Sequence, residues 1–194
     1  MCIRDRFIPN ARTYETVNPE YSYYAGAAFG NFQAMLADIP DRLGETIPNF
    51  HNMEFRLKQL REAVSANISG RLAEVQDIVD AIEKDADTMC SAERFYREGK
   101  LPKRICHCDT KVSNMLFDEN GKVLCVIDLD TVMPSFIFSD FGDFLRSAAN
   151  TGKEDEADLN KVKFNMEIFK AFTKGYIESA RTFLTLSLIH ISEP

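Results

Sequence analysis

Two short apolar runs on either side of a turn constrain this chain more than any other feature. Met115-Leu116-Phe117 and Val123-Leu124-Cys125-Val126-Ile127 have strand-like content. Asp118-Glu119-Asn120-Gly121 between them is a turn signal, with Asn-Gly able to take positive φ. Their alternation is poor, yet an antiparallel return still brings the end of the second run beside the start of the first. Asp128, closing the second run, therefore falls near Asn114, which heads the first. Upstream, His107 and Asp109 stand on a tight loop, with Asp109 five positions before Asn114. A carboxylate, a side-chain amide and a second carboxylate are thus expected together, and the last two are oxygen donors suited to a hard cation.

The loop has the form H-x-D-x-x-x-x-N, in which an Asp orients a hydroxyl while an Asn and a second Asp hold magnesium on a nucleotide's phosphates. H-C-D-T-K-V-S-N followed by V-I-D-L-D-T-V-M-P resembles the aminoglycoside phosphotransferase and choline kinase group of protein-kinase-like enzymes. Within that group it is most similar to the N-acetylhexosamine 1-kinases, with S-D-F-G-D at 139–143 and N-T-G-K-E-D-E at 150–156 adding to the likeness. The resemblance runs from about Phe7 to Thr185. It implies an α+β fold, the C-terminal lobe of a protein-kinase-like enzyme, mainly helical with a small β-hairpin at the active site. It further implies ATP as co-substrate, Mg2+ as cofactor, and phosphorylation of an amino sugar, an N-acetylhexosamine, at its anomeric carbon. Asp109 becomes the catalytic base, Asn114 and Asp128 the magnesium ligands, and His107 a support for the loop. Lys111 either stabilises charge on the transferred group or is a solvated loop lysine. Asp130 is a candidate carboxylate behind the metal or facing substrate. His51 and Asn52 match a segment near the family's sugar pocket, although by themselves they read as exposed polar residues at a helix start. The stretch from Phe7 to Pro19 corresponds to the hinge between lobes, whose backbone would touch adenine.

Other chemistries fit less well. Cys106, His107 and Cys108 lack the paired spacing of a zinc site and read as small buried residues around a loop. Asp118 to Gly121 lacks the Glu that a calcium loop requires. A non-catalytic binding module would tolerate loss of Asp109, Asn114 or Asp128, and all three are present. A metal-dependent hydrolase using Asp109, Asp128 and Asp130 would predict two metals and no need for ATP. Choline, aminoglycoside and sugar acceptors are not separable by physics here.

Length and composition bound the rest. The chain has 194 residues, room for one sizeable core, and 45% apolar with 27% charged content is ordinary for a globular protein. A net charge of −7 argues against nucleic acid or an anionic membrane as partner, so any phosphate site must be made locally. Five cysteines, irregularly spaced, with no secretory signal, point to reduced thiols and a cytoplasmic location. No apolar run reaches membrane-spanning length. Residues 1–6 and 186–194 join the body without periodicity or caps and are expected to be non-native tails, leaving 7–185 as a lobe truncated at both ends. No Gly-rich loop or strand-borne lysine precedes the loop, so the chain alone is expected to fold partly and to turn over poorly.

Helical periodicity fills in the remainder. A first helix is expected over Tyr21–Asp38, with Ala25, Phe29, Phe32 and Leu36 on one face and Pro40 ending it. A second opens at Phe50-His51-Asn52, and a third runs from Arg71 to Glu98. A helix capped by Ser139 or Asp140 runs to about Asn150, with Phe141, Leu145 and Ala148 inward. Asp140 and Asp143 are expected to cap and pack the loop, one of them paired with Arg146. A last helix over Leu159–Ala180 is expected to bury Val162, Met166, Phe169, Phe172 and Tyr176.

Overall fold

In the computed structural model, residues 7–39, 43–152 and 156–184 are described. The expected terminal tails, Pro40, Thr185 and part of the acidic loop after Asn150 lie outside them. The chain divides into two compact units, one built from residues up to Thr46 with those from Arg104 onward, the other Ile47–Lys103. The content is mainly helical with short antiparallel strands, and no described helix is long and apolar enough to cross a membrane.

The first unit rests on two helices, α1 (Pro19–Met35) and α6 (Met166–Ala180). Asn18 caps α1 by accepting from the Tyr21 amide, and Pro19 sits at the first helical position, where its missing N–H costs nothing. Ala25, Phe29 and Phe32 are buried as expected, while the helix ends at Met35, before Leu36. The two helices approach closely enough that glycine is required at the contact. A Cβ on Gly26 would overlap the Phe172 carbonyl, and one on Gly175 would overlap the Tyr23 carbonyl. Both obstacles are backbone, which cannot turn aside as a side chain can. Gly26→Ala is therefore expected to destabilise the fold by about 1–3 kcal/mol through forced separation of the helices. Equilibrium urea denaturation checks this; an unchanged midpoint would contradict the close approach.

The last helix starts later than its periodicity predicts. Asn165 caps it by accepting from the Glu167 and Ile168 amides, and Leu159–Lys161 is a separate 3-10 turn. Residues 163 and 164 are instead drawn alongside residues 149–151, with Thr151 N–H donating to Lys163 O and Asn165 N–H to Ala149 O. The buried face consequently moves to Ile168, Phe172, Gly175, Tyr176 and Ala180, leaving Val162 and Met166 exposed and Phe169 half-buried.

The hairpin forms as expected. Strand β2 (Met115–Phe117) pairs antiparallel with β3 (Val123–Val126), matching Met115 with Val126. The register shifts between Leu116 and Phe117, a bulge that explains the poor alternation in sequence. In the turn, Asp118 Oδ1 accepts from the Asn120 and Lys122 amides, and Gly121 takes φ 78° against the Tyr21 ring. Upstream, Arg12 bridges Phe117 by two backbone hydrogen bonds of 2.9 Å, so the segment before Pro19 is partly extended. A second two-stranded sheet was not foreseen: β1 (Arg104–Cys106) pairs antiparallel with β4 (Met133–Ser135), so that the chain enters and leaves the loop region side by side.

The other unit holds α2 (Met53–Ala66), α3 (Gln76–Met89) and α4 (Ser91–Arg97). The single helix expected over Arg71–Glu98 is broken twice. Leu72–Glu74 is a 3-10 turn, and Cys90, at φ −86° and ψ −1°, separates α3 from α4. No Pro or Gly punctuates either break, and the helical period continues across both. Bidentate pairs tie α2 to its neighbours, Arg61 to Glu83 at 2.8 and 2.6 Å and Arg97 to Glu54 at 2.8 Å twice.

Candidate active site

The loop between β1 and β2 is held from both sides by its backbone. The His107 ring is fully buried, with the Phe29 and Phe32 rings 5.8 and 5.7 Å away. Its Nε2 lies 2.8 Å from the Ile127 carbonyl, which can only accept, so the proton is assigned to Nε2. Its Nδ1 then accepts from the Asp109 amide at 3.3 Å. One imidazole thereby joins the residue bearing the first carboxylate to the residue just before Asp128.

Ile127 closes the other half of this link, donating its N–H to the Asn114 carbonyl at 2.9 Å. Asp128 follows directly and takes a left-handed conformation, φ 62° and ψ 61°, which turns the chain out of β3 into the 3-10 turn Leu129–Thr131. Asp128 thus stands one residue beyond a backbone hydrogen bond to Asn114, where the antiparallel return brings it. Thr131 Oγ donates to His107 O at 2.7 Å and secures the turn, while Asp130 within it is exposed.

Asp109 and Asn114 are in direct contact. Asn114 Nδ2 donates to Asp109 Oδ2 at 2.9 Å and to Asp109 O at 2.8 Å, and Lys111 Nζ lies 3.2 Å from Asp109 Oδ1. With Nδ2 engaged in this way, Asn114 keeps Oδ1 as the end of the amide able to ligate a cation. An amide oxygen beside a carboxylate is a donor set for magnesium rather than for a thiophilic metal. Asn114 is 7% exposed, whereas the Asp109 side chain is 28% exposed and reachable from solvent.

Beneath the loop lies α5 (Ile137–Ala148), which begins two residues before the expected cap. Asp140 consequently lies inside the first turn, buried, and acts as an anchor instead of a cap. Its Oδ2 accepts from the His107 amide and its Oδ1 from the Cys108 amide, each at 2.8 Å, and its carbonyl accepts from Thr110 Oγ at 2.7 Å. Asp143 Oδ2 accepts from the Thr110 amide at 2.9 Å, and Asp143 pairs with Arg146 as expected. Burial raises the Asp140 pKa, opposed by the hydrogen bonds from His107, Cys108 and Gln33. Cys108 itself sits at φ 66°, a conformation that costs a non-glycine residue about 1 kcal/mol. Burial pushes the Cys108 thiol up to about 12 and the Cys106 thiol well above its usual range, as suits small buried residues.

The model of the phosphotransferase enzyme family (APH) matches residues 9–171. The chain belongs to that family. Among solved structures this phosphotransferase chain is similar to an aminoglycoside-3'-phosphotransferase of type VIII, at 18% identity and a TM-score of 0.46. That match covers 90% of this chain and 60% of the other, so the chain spans less than two thirds of that protein's length.

The residues singled out in sequence separate into two groups. Asp109, Lys111 and Asn114 are joined by direct contacts, and the backbone brings Asp128 beside Asn114. Asn52, in the other unit, caps α2 by accepting from the Phe55 amide at 2.9 Å, and His51 stacks on Phe50 with ring centroids 4.5 Å apart. Sequence reading missed Gln33 and took Tyr176 only as a buried core residue; both stand behind Asp140. The available signal was a glutamine inside the apolar stripe of α1.

Proposed function

We propose that this chain carries the catalytic base and metal ligands of an ATP-dependent small-molecule kinase, and that it corresponds to the C-terminal lobe of a protein-kinase-like fold. The observation that carries the reading is the Asp109–Asn114 contact joined through Ile127 to Asp128. Asp109 is accessible, and both its oxygens are oriented by neighbours, which suits a carboxylate that receives a proton at a fixed point. The acceptor hydroxyl oxygen attacks the γ-phosphorus, a new O–P bond forms, and the bond from that phosphorus to the bridging oxygen breaks. The hydroxyl proton passes to Asp109, and ADP leaves with the bridging oxygen's charge. Asn114 Oδ1 and the Asp128 carboxylate are the residues that would hold Mg2+, which neutralises phosphate charge when bound. Lys111 would serve the transferred group from beside Asp109.

The favoured acceptor is the anomeric hydroxyl of an N-acetylhexosamine, a preference that rests on the H-C-D-T-K-V-S-N and V-I-D-L-D-T-V-M-P likeness. His51, Asn52 and Asp130 are the secondary substrate candidates in this reading. The test of the metal assignment uses the full-length gene product. Chelation of divalent cations is expected to stop transfer, and Asp128→Asn to raise the Mg2+ needed for half-maximal rate by about tenfold or more, since ligand charge sets affinity. Transfer that continues in chelator, or an unchanged Mg2+ requirement in Asp128→Asn, would contradict it.

A further inference from the structure

Gln33 lies on the buried face of α1, 1% exposed, among residues that are otherwise apolar or small. An aliphatic side chain would serve that face, and a buried amide is costly unless both its ends are satisfied. Here both are. Nε2 donates to Asp140 Oδ2 at 2.8 Å and lies 3.8 Å from Cys106 Sγ, while Oε1 accepts from the Tyr176 hydroxyl at 2.5 Å. Tyr176 is itself 4% exposed, so α1, α5 and α6 meet at one enclosed polar chain.

The far end of that chain is the loop. Asp140 Oδ2 is shared between Gln33 Nε2 and the His107 amide, and Oδ1 takes the Cys108 amide. Without the Gln33 donor, the carboxylate keeps only the two loop amides to fix its rotation. Cys108, held left-handed at φ 66° directly before Asp109, is then bound to a carboxylate that is itself less firmly fixed. We propose that Gln33 and Tyr176 are positioning residues for Asp109: Tyr176 orients the Gln33 amide, Gln33 orients the Asp140 carboxylate, and Asp140 fixes the His107 and Cys108 amides from which Asp109 departs. The inference rests on the reading of Asp109 as the base.

The titratable groups around the chain are Asp140 and Asp143 on α5, Tyr176 on α6, Arg104 and Cys106 on β1, and His107 and Cys108 on the loop. Gln33→Glu places a carboxyl against Asp140. Protonated, it can donate as the amide did; ionised, it repels.

The experiment compares the full-length wild type with Gln33→Leu, Gln33→Glu, Tyr176→Phe and, as control, Asn31→Ala on the exposed face of α1. It reads kcat, KM, the pH profile and hydrogen exchange at the His107 and Cys108 amides. Gln33→Leu is expected to lower kcat by about 10–100-fold with little change in KM, the scale of a small misplacement of the base. Both amides should exchange faster, with Tyr176→Phe shifting kcat and exchange less and in the same direction. Gln33→Glu should approach wild-type kcat at acid pH and lose it as pH rises. Wild-type kcat and unchanged amide exchange in Gln33→Leu would overturn the proposal, as would a Gln33→Glu profile parallel to wild type. Faster amide exchange in the variants, with no transfer by the wild type, would support the positioning chain and overturn the reading of Asp109.

Discussion

Asp109→Asn in the full-length gene product is expected to lower kcat by about 10²–10⁴-fold, the usual worth of a positioned general base. The substitution is nearly isosteric. It keeps an oxygen able to accept from Asn114 Nδ2, held at 2.9 Å in the present structure, and the backbone bonds to His107 and Asn114 are untouched. What it removes is the capacity to take a proton and the attraction for Lys111 Nζ, 3.2 Å from Asp109 Oδ1. Because both side chains are partly exposed, loss of that ion pair should cost about 1 kcal/mol or less. Activity and stability therefore separate: kcat collapses while the melting temperature moves little. A variant retaining a tenth or more of wild-type kcat would remove Asp109 from the role of base.

Asp140→Ala is expected to do the reverse of a clean active-site lesion, unfolding the protein as well as silencing it. Four donors lose an acceptor or its support: the His107 and Cys108 amides, Gln33 Nε2, and, through displacement of α5, Thr110 Oγ. Asp140 is 1% exposed, so water cannot replace the carboxylate without opening the core. Stranding buried donors around a deleted charge costs about 3–5 kcal/mol, a large fraction of the stability of a domain this size. Asp140→Asn should be milder, since it retains one acceptor oxygen yet turns an NH2 toward a donor. Denaturation midpoints for the two variants check the order; equal, small shifts would show that the loop does not depend on the anchor.

Local chemistry was legible in the sequence wherever a short-range signal exists. The turn at Asp118–Gly121, the strands it joins, the Asp109–Asn114 spacing and the first two helices all follow from residues close together in the chain. The pairing of β1 with β4 was not legible, because three-residue strands carry no period and Pro134 sits inside one of them. The break at Cys90 carries no Gly or Pro to announce it. The displacement of α6 came from Asn165, whose capping could be foreseen only by preferring it to an uninterrupted apolar stripe. Asp140 shows the deeper limit. Its packing against the loop was expected from the family likeness, but an aspartate near a helix start also reads as a cap, and its burial as the acceptor of both the His107 and Cys108 amides, some thirty positions earlier, is a tertiary fact. The same holds for the contact between Gln33 and Tyr176, 143 positions apart.

The measurement that bears most directly on the account is phosphoryl transfer by the full-length gene product supplied with Mg2+ and ATP. The acceptors are N-acetylglucosamine, N-acetylgalactosamine, choline and an aminoglycoside, with products identified by phosphorus NMR. The expected product carries a phosphate on the anomeric oxygen of an N-acetylhexosamine. Transfer to choline or the aminoglycoside instead would keep Asp109, Asn114 and Asp128 in their roles and contradict the sugar assignment. No transfer to any acceptor would contradict a small-molecule kinase acting on these substrate classes.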